Sequence, residues 1–489
     1  MDFTIIADVP ANAQAILYPF TPAQWDTFTK SNAEGLGGVP SAALRNVFTG
    51  ESKSCLSTFD ANGRQIHLIG LGSKVDFGQY LKVFRSYFYQ RRLTLPLQIA
   101  IDLRHLADDI STEVVEAMAN GIQLSSYSIQ LYKTKKEGNN SAQSAEKKIV
   151  IVSSRLEDHL QEAAEIGKQM ALTQQRILDL VNAPSNKKSP TSIGQWAIES
   201  GKQNGFHARI LAKSDLEKEG LSALLAVSKG SVASPILLLM EYQGDPGTEV
   251  YHYGLVGKGV IFDTGGISMK SSTNMHFMKS DMGGAAAVLG AFEMIAKQKL
   301  KINVVAAIPL TENSVDGDSV KPGDVIGSYL GKSIEVIDTD AEGRLILADG
   351  LAYLVKNYQP KVLINAATLT GSIIQTLGYQ AAGMFTANDA LAKQIFEAGM
   401  SCGERVWRLP LWDAYQDDLQ SDIADLKNYS GKPIAGAITA AKFLEEFTDS
   451  HTSWAHLDIA GVAFADSEYS TMRAATAYGV RLFYNLIKG

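Results

Sequence analysis

The sequence predicts an α/β protein: a smaller N-terminal α/β domain joined by a long helix to a larger C-terminal domain with a mostly parallel, helix-covered sheet. Three observations lead there. Apolar runs of strand length alternate with amphipathic helical runs on both sides of residue 155, the order expected of strands joined by crossover helices. One helical pattern, from Leu156 to about Val181, is far longer than its neighbours, and Pro184 and Pro190 mark its end. Beyond it the strand-like runs are continuously apolar, as in a sheet buried on both faces.

In chain order, 67–72, 97–103 and 148–152 read as strands of a first domain, residues 1–155, and the polar run 137–146 reads as a flexible loop inside it. Residues 156–182 form the linker helix, with Leu160, Ala163, Ala164, Ile166, Met170, Leu172, Ile177 and Leu180 on its apolar face. The second domain spans 183–489. Its strands include 302–308 and 361–367, its helices include 343–358, and a site is expected at the carboxyl ends of the strands. Residues 327–333 resemble a P-loop but are one residue short and precede a strand, so they read as a β-turn. The short basic runs 133–136 and 187–188 read as solvated loop faces.

The chain has 489 residues, 45% of them hydrophobic, enough for two or three domains with a large core. It has no apolar stretch of membrane-spanning length, and its start lacks a basic segment before an apolar one, so a cytoplasmic location is expected. Cys55 and Cys402 form no disulfide framework and are expected to be packing residues. A net charge of -7 works against binding a phosphate backbone, so neither nucleic acid nor membrane is expected as a partner.

The densest chemical signal is Asp338, Asp340, Glu342 and Arg344 within seven residues, directly after the apolar stretch 333–337. If strand geometry persists, 338, 340 and 342 project to one side. Converging carboxylates repel unless a cation neutralises them, and hard divalent ions take oxygen ligands. Alone, the run reads first as a solvated acidic turn and only second as a metal site. A second cluster, 255–284, holds Lys258, Asp263, Lys270 and Asp281 among six glycines. Lys258 lies between two apolar runs, and a buried ammonium needs a carboxylate partner or loses its proton, after which the amine can ligate a metal. Asp281 stands before a helix opened by Gly283 and Gly284, so helix capping is the competing reading.

With the stretches 179–186, 456–461 and 478–482, these motifs resemble the leucyl aminopeptidase family, cytosolic exopeptidases with two metal ions. The resemblance implies that Lys258, Asp263, Asp281, Asp340 and Glu342 are metal ligands, with Asp263 and Glu342 bridging, Asp340 completing one site, and Lys258 and Asp281 the other. It implies Lys270 and Arg344 as the catalytic pair: the first stabilises the oxyanion, and the second holds a bicarbonate ion that acts as general base. It places Met278, Thr368, Leu369, Gly371, Ala460 and Ala463 around a pocket for the N-terminal side chain, which favours leucine and other apolar residues. Two divalent ions (manganese or zinc, with cobalt or magnesium as alternatives), peptide substrates, a homohexamer, and a regulatory or oligomer-building first domain are also implied.

Three positions depart from the family pattern: Ala463, where a larger residue is common; Asp338, usually Asn; and Thr264, usually Ser. Asp338 can tune metal affinity or pair with a cation. For Arg344 the competing reading is a salt bridge to Asp338 or Asp349. Eight histidines are present without an H-E-x-x-H motif, and His276 and His456 near the motifs read as structural. No G-x-S-x-G elbow occurs. A two-metal phosphoesterase and a DNA-binding scaffold are the alternatives from other classes.

Overall fold

The computed structural model describes residues 1–36, 39–106, 110–134, 146–154 and 158–489. The chain divides into two compact units, Met1–Gln175 and Arg176–Gly489. The first holds six strands: β1 (Asp2–Ile6), β2 (Ala15–Phe20), β3 (Cys55–Phe59), β4 (Gln65–Gly70), β5 (Gln98–Asp102) and β6 (Lys148–Val152). Their order is β1-β6-β5-β2-β4-β3, with every neighbouring pair parallel except β3 and β4. Helices Phe77–Gln90 and Thr112–Leu124 pack on this sheet through Phe84, Phe88, Met118 and Ile122. Of the polar run 137–146 only Glu146 lies within the described residues, where it pairs with the amino terminus at 3.0 Å. The long helix covers Asp158–Asn182; residues 156 and 157 of the expected span lie outside the described residues.

The second unit carries β7 (His207–Leu211), β8 (Ile236–Gln243), β9 (Tyr253–Gly257), β10 (Gly259–Asp263) and β11 (Asn303–Asn313). Next come the short β12 (Val325–Ile326) and β13 (Ile334–Glu335), then β14 (Val362–Ala367), β15 (Ala382–Phe385), β16 (Val406–Arg408), β17 (Leu426–Lys427) and β18 (Trp454–Asp458). The main sheet runs β16-β15-β18-β14-β9-β11-β8-β7, with β10 beside β11. Strands β18, β14, β9, β11 and β10 run parallel, while β8 pairs antiparallel with β11, β7 antiparallel with β8, and β15 antiparallel with β18. Leu237, Leu239, Val305, Ala307 and Leu363 pack with helices Ser222–Ser228, Glu342–Tyr358 and Gly436–Glu445. Alternation along the strands turns Leu238, Met240 and Ala306 the other way, the side covered by Gly283–Lys297 and its neighbours Pro190–Asn204 and Val480–Lys488. Both faces are therefore buried, which is why these strands show no polar alternation.

Parallel order has a chemical consequence. The carboxyl ends of β9, β10, β11, β14 and β18 share one edge of the sheet, so Lys258, Asp263, Asn313, Thr368 and Asp458 lie along it.

Several sequence expectations are corrected. Strand geometry does not persist past 337: β13 ends at Glu335, Asp340 lies in a turn, and Glu342 is the first residue of helix Glu342–Tyr358. Side-chain alternation therefore does not bring the acids together. Lys188 is no solvated loop residue; it is buried, and desolvation pushes its ammonium down to about 7. Cys402 is buried as expected, but Cys55 is exposed on β3 and packs into no core. Residues 327–333 do form a turn joining antiparallel β12 and β13, closed by the Gly331 amide donating to the Ser328 carbonyl at 3.0 Å.

Candidate active site

Lys258 follows β9, its backbone pinned between the Ala366 carbonyl at 3.0 Å and the Ala285 amide at 2.8 Å. Its side chain is 4% exposed, and its ammonium lies 2.7 Å from Asp281 Oδ2 and 2.9 Å from Glu342 Oε1 while donating to the Thr368 carbonyl at 3.1 Å. Gly343 makes this reach possible: a Cβ there would stand 2.5 Å from Lys258 Cε and 2.7 Å from Nζ. Gly284 lets its helix meet the strand edge, since a Cβ would stand 2.0 Å from the Ala366 carbonyl oxygen.

Asp263 ends β10, and its Oδ1 accepts from the Gly265 amide at 2.9 Å and Asn313 Nδ2 at 2.8 Å. Its Oδ2 lies 2.7 Å from Lys270 Nζ, which also pairs with Asp340. Asp281 makes no capping bond to helix Gly283–Lys297; its Oδ1 accepts from the Thr368 hydroxyl at 2.7 Å. The capping reading is thereby excluded. Asp263, Asp340 and Glu342 can each offer an oxygen to one point, all within 4.8 Å of one another.

The electrostatics show what the cluster lacks. Two ammonium groups face the carboxylates of Asp263, Asp281, Asp340 and Glu342. Burial raises the Asp340 carboxyl to about 7, helped by the charges of Asp263 and Glu342 and opposed by Lys270. Burial likewise lifts Glu342 and Asp281 above the usual carboxylate range, with acid–acid repulsion adding to it. Burial works against charge on Lys258 and Lys270 too, but the surrounding carboxylates outweigh it and hold both ammonium groups above the ordinary lysine range. Glu342 Oε2 is buried without a hydrogen-bond partner among the described residues. Under-neutralised oxygens and an orphaned carboxylate oxygen in one cleft fit divalent cations.

Arg344 is buried in the first turn of helix Glu342–Tyr358, and its Nη1 donates to the Asn428 carbonyl at 2.7 Å. Burial lowers it to about 10, partly offset by Glu342, Asp338 and Asp458. It bridges to neither Asp338 nor Asp349 among the described residues; Asp349 instead accepts the Leu224 and Tyr329 amides at 2.9 and 2.8 Å. Among the described residues Arg344 Nε stays buried and unpartnered, a donor open to an anion. Asp338 Oδ1 accepts the Asp340 amide at 2.9 Å, a local turn bond that an Asn oxygen makes equally well. Asp338→Asn is accordingly expected to leave manganese affinity and kcat within about twofold of the parent; a tenfold change in either, read by titration and steady-state kinetics, would give the carboxylate a direct role.

The expected pocket residues are distributed around this edge. Thr368 Cγ2 and Ala463 Cβ both crowd the space a Gly283 Cβ would take, at 3.0 and 2.9 Å, so both flank Gly283. Leu369 and Ala460 are held by their amides, each 3.2 Å from Asp458 Oδ1. Gly371 opens helix Gly371–Leu377, and Met278 lies in the 3-10 turn Met275–Ser280 ahead of Asp281. Asn313, Thr339, Asn428 and Asp458 escaped the sequence reading. Asn313 binds both Asp263 and the Thr339 carbonyl, Thr339 receives the Ser268 amide at 2.8 Å, and Asn428 Nδ2 donates to the Asp338 carbonyl at 2.7 Å. Asp458 lies inside the motif 456–461, and a buried acid at a strand end was its only signal. His456 is buried and kept neutral, its pKa lowered to about 3 by desolvation and the Arg344 charge. His276 is exposed and stacks on Phe277.

A parallel-centred α/β sheet with a carboxylate–lysine cluster at its carboxyl edge fits the class of α/β proteins with a divalent-metal site, and comparison with known proteins supplies the activity. The profile of the cytosol aminopeptidase family, catalytic domain, matches residues 176–484. A probable cytosol aminopeptidase of Chloroherpeton thalassium is 36% identical across 97% of this chain and 96% of its own, and one of Chlorobium limicola is 38% identical with the same coverage. A tomato leucine aminopeptidase variant superposes with a TM-score of 0.87 at 27% identity, covering 100% of this chain and 96% of that one. The bottromycin maturation enzyme BotP, solved with manganese, gives 0.84 at 28%, covering 97% and 99%. The chain belongs to the cytosol aminopeptidase family. It is a metal-dependent aminopeptidase.

Proposed function

We propose that the chain removes leucine and other apolar residues from the amino termini of peptides, in intracellular peptide turnover. The observation that carries this reading is the convergence of Lys258, Asp263, Asp281, Asp340 and Glu342 on one cleft with Lys270 among them. These five would hold two divalent ions, manganese or zinc first and cobalt or magnesium as alternatives, and Asp263 and Glu342 would be the residues common to both. When bound, the ions supply Lewis acidity toward the scissile carbonyl and lower the pKa of the attacking water. Lys258 can ligate only as the neutral amine, so loading the site releases its proton.

Lys270 is the partly exposed lysine, on a loop, and its ammonium holds positive charge for the oxyanion that develops at the carbonyl. Arg344, with its buried Nε unpartnered among the described residues, would hold a small oxyanion, bicarbonate, which would supply a general base for the attacking water. Thr368, Leu369, Gly371, Ala460, Ala463 and Met278 shape the pocket for the first side chain. The small Ala463 leaves it room for leucine-sized groups. Residues 1–155 serve as the regulatory or oligomer-building domain, 156–182 as the linker and 183–489 as the catalytic domain of a cytoplasmic homohexamer.

The test is a panel of aminoacyl anilides, run with metal analysis and beside nitrophenyl phosphate. Leucine and methionine anilides should be hydrolysed fastest and the phosphate ester left intact. Preference for acidic or basic anilides would overturn the specificity, and phosphate release would favour a phosphoesterase.

A further inference from the structure

Lys188 takes no part in the chemistry above, yet it is among the more deeply buried lysines, 7% exposed. No carboxylate pairs with it among the described residues. Its Nζ instead donates to the carbonyls of Leu180 and Val181 at 3.2 Å each and of Lys279 at 2.7 Å, and lies 3.3 Å from Met282 Sδ. Burying an ammonium is costly, so such a group persists where it satisfies polar atoms that nothing else reaches. Two of its acceptors belong to the last turn of helix Asp158–Asn182, where carbonyls lack intrahelical partners and the helix dipole favours a cation. The third acceptor and the sulfur lie two residues before and one residue after Asp281.

Asp281 is otherwise restrained through its side chain, by Lys258 and the Thr368 hydroxyl, and through its amide, which donates to the Met278 carbonyl at 3.3 Å. That amide bond ties the backbone only to its own 3-10 turn, whereas the Lys188 bonds tie the segment to the helix end. We propose that Lys188 is a positioning residue that clasps segment 279–282 to the helix end and so aims Asp281 at Lys258, supporting that half of the two-ion site selectively. The inference rests on the two-metal reading, and manganese titration of the parent protein tests that reading separately: fewer than two equivalents bound would end it before Lys188 is considered.

The experiment compares manganese titration of metal-free parent, Lys188→Met and Lys188→Arg. Lys188→Met keeps an unbranched stem and removes every donor. It is expected to weaken one manganese equivalent by about tenfold to a hundredfold, as loss of an outer support does, and to leave the other unchanged. The affected equivalent should be the one that Asp281→Asn also loses. In the metal-free protein, amide exchange should speed up across 279–284 and stay constant across 338–344. Lys188→Arg, which retains donors, should restore most of the lost affinity. Equal weakening of both equivalents, or no change in either, would overturn the proposal, as would uniform exchange with only a lower Tm. If Lys188→Met is recovered unfolded, Lys188→Gln, whose shorter side chain keeps two donors but cannot span all three carbonyls, should weaken the same single equivalent to a smaller degree, and equal weakening of both or no change would overturn the proposal.

Discussion

Dialysis against a chelator is expected to abolish peptide hydrolysis and to lower the thermal midpoint by several degrees, with manganese, zinc or cobalt restoring both. Ligand that binds only the folded chain stabilises it by about 2.7 kcal/mol per site at a hundredfold excess over Kd. Removing the ions also leaves Asp263, Asp281, Asp340 and Glu342 facing two ammonium groups in a buried cleft.

The pH dependence of the metal-free protein follows from the raised carboxyls. Asp340 moves from its usual 3.8 to about 7 in the folded state, so between those values the folded chain binds more protons than the unfolded one. Its contribution to stability is therefore present below about 4 and lost as pH rises through about 7. Divalent ions favour the ionised carboxylates, so the gap in Tm between loaded and metal-free protein should widen across the same window. Full peptidase activity in protein shown to be metal-free would reject the mechanism, and a gap that narrows with rising pH would contradict the electrostatic account.

The two lysines should separate on substitution. Lys258→Ala removes a proposed ligand and leaves Asp281 and Glu342 buried without their ammonium partner. Breaking such a pair costs about 3–5 kcal/mol, so the variant should melt lower, lose one metal equivalent and be inactive. Lys270→Ala acts on a side chain that is 23% exposed, and on the proposed mechanism its charge stabilises the oxyanion. Metal content should stay near two equivalents while kcat falls by about two to three orders of magnitude, KM changing little. Elemental analysis beside steady-state kinetics reads both. Equal metal loss in the two variants would mean that their assigned roles are wrong.

Much of this was legible without coordinates because the chemistry left local traces. Apolar runs without alternation announced a sheet buried on both faces, and the main sheet is covered on both sides. The acids at 340 and 342 and the lysines at 258 and 270 stand in glycine-rich or charged stretches that a plain structural segment does not need. The route by which Asp340 and Glu342 meet was not legible. A run of alternating acids suggested a strand, but the chain leaves β13 at Glu335, turns at Asp340 on the Asp338 carboxylate and starts a helix at Glu342.

Sequence by itself determined which residue types were available, the strand and helix periods, and the family, because these depend on the order of neighbours along the chain. Only the tertiary structure decided which groups face one another. Parallel pairing of β9, β10, β11, β14 and β18 brings residues from Lys258 to Asp458 to one edge. It also recruits Asn313 and Asn428, which carry no local mark of function, and it buries Lys188 against segment 279–282 rather than on a loop face. Such placements follow from desolvation and from hydrogen bonds between segments far apart in the chain, where the cost of a buried charge is met by partners that no local window contains.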